Sequence, residues 1–193
     1  MKFKFGKGNW NEADLPYASS YRFDGNPKFT AGEDFVENKS DENGPCGWEW
    51  ITAISEEKFQ RESTIKFVCD FDGPAAPLLV LAKEIDTDAE GNRKYGNYFE
   101  IVIWKNGVNV WEMDYDPQRE TDGGVAWKLR MGVSRSFAEG ERHTVEVNMA
   151  GDRLNVKADG ELYRLYLPDM YDSFHVGISA CEGHCRFYEL SVN

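Results

Sequence analysis

Apolar and polar residues alternate along most of this chain. In "NYFEIVIW", positions 97–104, Phe99, Ile101 and Ile103 take one parity and Tyr98, Glu100 and Trp104 the other. In "VNVWEMDY", positions 108–115, Trp111, Met113 and Tyr115 oppose Val110, Glu112 and Asp114. A period of two places alternate side chains on opposite faces of a β-strand. Phe99, Ile101 and Ile103 are the natural core set, so Glu100 and Trp104 should face outward. The two runs are joined by "KNG", a strong hairpin signal.

The same alternation or short apolar runs predict strands over 48–55, 63–71, 77–85, 125–133, 143–149, 153–158, 161–167, 174–180 and 186–192. Shorter strands are expected earlier, at "SYRF" and "DFVEN". No window of a dozen residues keeps the i, i+3, i+4, i+7 pattern of an amphipathic helix. Many short antiparallel strands separated by turn signals predict an all-β, two-sheet jelly-roll sandwich with little or no helix. No fixed-period repeat points to a propeller or solenoid. No Pro/Gly/Ser-rich linker divides the 193 residues, so 1–193 reads as a single domain. At that length roughly 70% of the unfolded surface can be buried, and the core needs neither metal nor disulfide.

Composition narrows the partners. The 22 basic and 34 acidic residues give a net charge of −12, which argues against nucleic acid and anionic membranes. No window approaches the roughly 18 apolar residues of a membrane span. The amino terminus, "MKFKFGKGNWNEADLP", lacks the apolar run of a secretory signal, so a cytoplasmic chain is expected, or a secreted one whose leader has been removed. Cys46, Cys69, Cys181 and Cys185 are too few and too irregular for a disulfide framework. "CEGHC" brings Cys181, His184 and Cys185 together, but a structural zinc site wants a second close pair, and Cys46 and Cys69 do not form one. Free thiols are the preferred reading.

At "GERHTVEVNMAGDRLNVKADGELYRLYL", followed by "FHVGISACEGHCRFYELSV", the rhythm of strands and Gly-Asp and Asp-Gly turns resembles the closing half of a concanavalin A-like jelly roll of the laminin-G and lectin/glucanase type. The resemblance covers roughly residues 140–193. It implies two curved antiparallel sheets with carbohydrate bound or cleaved on the concave face. "WEMDYD" is similar to the Glu-x-Asp-x-Glu signature of glucanases of this fold. The resemblance implies Glu112 as nucleophile, Asp114 as its helper and Asp116 as acid/base, although the last position departs from that signature. Retaining hydrolysis also needs carboxyl groups about 5–5.5 Å apart, whereas Cα atoms four positions apart on a strand are separated by about 13 Å.

Two further groups have chemistry. Asp86, Asp88 and Glu90 before Gly91 resemble the start of a calcium loop, yet Asn97 stands where the twelfth-position Glu belongs. An ordinary hairpin loop is expected there, with no cofactor in the protein. Trp48, Trp50, Trp104, Trp111 and Trp127 supply flat apolar faces on which sugar rings can stack, and an outward Trp104 beside Glu100 is an exposed aromatic that needs a use. His143 reads as structural. The leading expectation is a non-catalytic, lectin-like domain that binds a neutral glycan around Glu100, Trp104, Trp111, Glu112, Asp114, Trp127 and Arg130. A glycoside hydrolase or lyase using Glu112 competes with it, as does a protein-interaction or accessory subunit, including a homo-oligomer.

Overall fold

The computed structural model describes residues 1–23, 28–38 and 51–193. In chain order the strands are β1 (Lys2–Lys4), β2 (Tyr17–Ser20), β3 (Thr30–Ala31), β4 (Val36–Glu37), β5 (Ile51–Gln60), β6 (Ile65–Asp72), β7 (Ala76–Ala82), β8 (Asp86–Thr87) and β9 (Arg93–Tyr95). They continue with β10 (Tyr98–Trp104), β11 (Gly107–Tyr115), β12 (Val125–Ser134), β13 (His143–Ala150), β14 (Arg153–Ala158), β15 (Glu161–Tyr166), β16 (Ser173–Cys181) and β17 (His184–Val192). The only helical element among the described residues is a 3-10 turn, Asp122–Gly124.

The strands form two sheets. The smaller runs β15-β14-β13-β6-β17-β4-β3, with β1 also paired to β17. The larger runs β12-β11-β10-β7-β16-β5-β2-β9-β8. Every pairing is antiparallel except β2 with β9. This is the all-β jelly-roll sandwich that the alternation predicts.

Between the sheets lies the main core. Phe67, Cys69, Phe71, Val145, Val147 and Phe187 face it from the smaller sheet, and Leu79, Leu81, Phe99, Ile101, Ile103 and Ile178 from the larger. Removing each such side chain from water contributes about 1.5–3 kcal/mol. The larger sheet is also covered on part of its outer face. Ala18, Ile54, Val80, Tyr95, Tyr98 and Met113 form a second apolar cluster there, and Ala76, Leu78, Val102 and Cys181 a third. Cover on both faces explains why β7 is an unbroken apolar run, buried along its whole length.

Several boundaries differ from the sequence reading. β7 stops at Ala82, and the hairpin loop expected between Ile85 and Asn97 contains two short strands, β8 and β9. Their lateral support comes from β2, which β9 joins in parallel. The "SYRF" stretch holds only the end of β2, because Tyr21 and Arg22 form a turn. β5 continues to Gln60 beyond the predicted end, while positions 48–50, with Trp48 and Trp50, lie outside the described residues, as does Cys46.

Turn chemistry is local and specific. Asp159 and Gly160 connect β14 to β15 with φ of 45° and 84°, a conformation that Gly adopts without strain and Asp tolerates. The Asp159 carboxylate also accepts from the Thr144 N–H at 2.8 Å and meets His143 Nδ1 at 2.7 Å. His143 is therefore a structural clamp, buried against Phe71 and Phe137. In the "KNG" hairpin, Lys105 and Asn106 make the turn and Gly107 is already in β11, opposite Trp104.

Gly107 is needed for a close approach, since a Cβ there would lie 2.4 Å from the Val133 carbonyl oxygen. Gly107→Ala should therefore push β12 away and cost about 1–3 kcal/mol. A lower urea midpoint with unchanged m-value is the expected outcome.

Candidate functional site

The site follows from the outward parity of β10 and β11. Glu100 lies opposite Trp111 on β11 and opposite Val80 on β7; Val102 lies opposite Asn109 and Leu78. Trp104 faces Gly107 across the hairpin, and Met113 pairs with Trp127 on β12. These outward side chains line a pocket of about 310 Å³ on the outer face of the larger sheet. Leu78, Val102 and Cys181 pack together beneath Trp104 and Trp111. Arg22 closes one side from the turn after β2, with its guanidinium 4.3 Å from the Trp127 ring centroid. Tyr21 reinforces that turn by stacking on Tyr115 at 4.2 Å. Glu182, in the exposed turn between β16 and β17, completes the rim.

Glu100 is the unusual member. Its side chain lines the pocket, yet the residue is only 2% exposed. Polar groups nearby are already engaged with one another: Tyr95 and Thr52 share a 2.7 Å hydrogen bond, and the Tyr98 hydroxyl donates to Ser20 Oγ at 3.1 Å. No hydrogen bond reaches the Glu100 carboxyl from the described residues. Burial disfavours the ionised form and pushes its pKa up to about 8, with the positive charge of Arg22 pulling weakly the other way. At neutral pH the group is thus mostly a carboxylic acid.

Four of the residues expected at the site, Glu100, Trp104, Trp111 and Trp127, meet in this pocket. Glu112, Asp114, Asp116 and Arg130 do not join them. Glu112 pairs with Phe99 and takes the inner parity, with its side chain partly exposed. A bulge between Val110 and Trp111 in the β11–β12 ladder inserts Arg130, which contacts Glu112 Oε2 at 2.5 Å and both Asp169 oxygens at 3.2 Å. Asp114 is bonded by Arg119, and Asp116 accepts from the Gln118 N–H beyond the strand. The acidic row is consumed in flank and loop interactions and shares no cleft. Arg22, Asn109 and Glu182 were missed. Asn109 could have been found by extending the parity of Trp111 by two positions. Arg22 and Glu182 lie in turns, where parity says nothing.

The other candidate centres resolve similarly. Asp88 accepts hydrogen bonds from the N–H groups of Glu90 and Asn92 and from the Asn92 amide, so its oxygens cap their own loop. Cys185 is in the main core, Cys181 in the pocket floor, and His184 on the smaller sheet between Glu37 Oε2 at 2.6 Å and Asp72 Oδ2 at 3.1 Å. "CEGHC" crosses from one sheet to the other, which places its three members in different surroundings. Among the described residues no group of three His, Cys, Asp or Glu is placed to hold a metal ion.

No family model and no curated protein matches the sequence. Solved structures do match in fold. A β-glucanase of Bacillus licheniformis aligns with a TM-score of 0.61 at 11% identity, covering 100% of this chain and 97% of that one. The carbohydrate-binding module CBM66 of Bacillus subtilis aligns at 0.57 and 11%, covering 93% and 91%. The exoplasmic/lumenal domain of VIP36, in a form bound to Ca²⁺ and Man3GlcNAc, aligns at 0.62 and 13%, covering 99% and 87%. The chain therefore has the concanavalin A-like jelly-roll fold.

The buried carboxyl should leave a mark on stability. An acid with a pKa near 4.5 when unfolded and about 8 when folded stabilises fully below pH ~4.5. That contribution falls by about 1.4 kcal/mol per pH unit until the folded group ionises. Urea midpoints should fall between pH 5 and 8 for the wild type. Glu100→Gln should remove most of that slope.

Proposed function

We propose that the protein is a non-catalytic carbohydrate-binding domain that takes a sugar into the Glu100–Trp111 pocket. The observation carrying this reading is the convergence of three indoles and a buried carboxyl, with no hydrogen-bond partner among the described residues, in one pocket. Sugar rings have apolar C–H faces that pack on indoles, and their hydroxyls both donate and accept. A protonated Glu100 can donate to one ligand oxygen and accept from a neighbouring hydroxyl. Apolar walls with a few fixed polar groups are what a small-ligand site requires. The carbohydrate-directed proteins sharing this fold add support by analogy.

A hydrolase is the second reading, favoured by one property: a carboxyl pushed up to about 8 can give a proton at neutral pH. It needs a partner carboxylate, and Glu182 is the other one lining the pocket. Glu100 is level with Val80 and Gly177, whereas Cys181, beside Glu182, is four residues farther along β16. Their backbones are thus about 13 Å apart along the strands and about 9.5 Å across them. That separation disfavours the roughly 5–5.5 Å pair of a retaining enzyme.

A glycan array combined with a reducing-sugar assay separates these readings. Binding without sugar release is expected, weakened about 10- to 100-fold by Trp111→Ala and unchanged by Asp114→Asn. Sugar release that Glu100→Gln abolishes would replace the binding domain with the hydrolase.

A further inference from the structure

The pocket also carries a signature of ligand charge. Its charged lining residues, among those described, are Glu100 on the floor, Glu182 on the rim and Arg22 at the side. Two carboxyl groups, the mostly protonated Glu100 and the rim Glu182, thus face one guanidinium, inside a protein of net charge −12, whose field concentrates cations. The walls are indoles, and an indole face attracts a cation held within about 6 Å of its centre. The protein itself uses this attraction, since the Arg22 guanidinium lies over Trp127 at 4.3 Å.

Resting on the carbohydrate reading, we infer that the sugar bound here carries a protonated amine, with the Glu100 carboxylate as its counter-ion and the Trp104, Trp111 and Trp127 rings as the walls around the ammonium group. An amino sugar thereby replaces the neutral glycan that composition suggests. The ligand supplies what the fold withholds, a donor to the carboxyl of a residue that is only 2% exposed and that no hydrogen bond from the described residues reaches. Among the described residues, Arg22, Tyr95, Tyr98, Cys181 and the rim Glu182 are the titratable or charged groups around Glu100. The phenols and the thiol have their pKa values raised by burial and stay neutral near pH 7, so Glu100 and the ligand are the groups whose charge changes on binding. Because Glu100 is mostly protonated beforehand, an entering cation expels a proton to the buffer.

The test is calorimetry at pH 7 in two buffers of different ionisation heat, using matched oligomers of glucose, N-acetylglucosamine, glucosamine and glucuronate, with tetramethylammonium as a cation that cannot titrate. Glucosamine oligomers should bind at least tenfold more tightly than glucose oligomers. Tetramethylammonium should bind with release approaching one proton per site. Glu100→Gln should abolish both the preference and the proton release, and its fold is checked by its melting curve. Trp127→Ala, at an exposed position, should weaken tetramethylammonium without altering the fold. Equal affinity for glucose and glucosamine oligomers, or a preference for glucuronate, would overturn the charge assignment and leave carbohydrate binding standing. Tetramethylammonium binding without any oligomer binding would remove the carbohydrate reading and keep the cation pocket. Silence from every probe would sink both.

Discussion

Cover on both faces of the larger sheet is the constraint from which the other features follow. A sheet packed on one side only would leave Glu100 in water as an ordinary surface carboxylate. Instead β10 is flanked by β7 and β11 within the sheet, by the inter-sheet core beneath, and by the apolar clusters around Tyr98 and Val102 above. The carboxyl loses its hydration without gaining a hydrogen-bond donor from the described residues, and neutralisation is the outcome that costs least.

Charged groups elsewhere in the fold are treated differently. Glu112 is matched by Arg130, which also grips Asp169; Arg186 binds Asp70 and Asp72, and His184 bridges Glu37 and Asp72. In each case the groups are occupied by their own neighbours, most at partly exposed positions and Asp70 at a buried one. Such networks arrange side chains and contribute modestly to stability. The distinction between a carboxyl with partners and one with no hydrogen-bond partner among the described residues separates Glu112 from Glu100 more sharply than their similar places beside a tryptophan do. The Glu112–Asp114–Asp116 row drew notice because its residues are spaced like a signature, yet its spacing is that of any strand with one acidic face.

The fold was legible because period-two alternation is a direct consequence of strand geometry, and it survives at 9–13% identity to the matching folds. The outward parity of Glu100, Trp104 and Trp111 was legible for the same reason. Arg22 and Glu182 were not, because turn residues have no periodicity and reach the site through tertiary placement. The inward turn of Glu112 was half legible from its shared parity with Val108 and Val110; β11 itself stays in regular register with β10, and the irregularity is on β12, where Arg130 is the extra residue opposite Val110–Trp111. The β8–β9 strands had no signal of their own, since two- and three-residue strands exist only where a neighbour such as β2 holds them.

The pairing of β7 with β16 joins residues near 80 to residues near 177. The β10–β11–β12 meander is local in sequence and supplies Glu100, Val102, Trp104, Trp111 and Trp127 to the pocket, whereas Arg22, Leu78 and Glu182 come from elsewhere in the chain. The docking of β16 on β7 joins positions about 100 residues apart, bears a loop-closure entropy and belongs to the slow part of assembly. During synthesis the hairpin bearing Trp104 and Trp111 is therefore made before the strand that carries Cys181. Assembly of the pocket is thus completed late, by the strand that brings Cys181 and Glu182 to it.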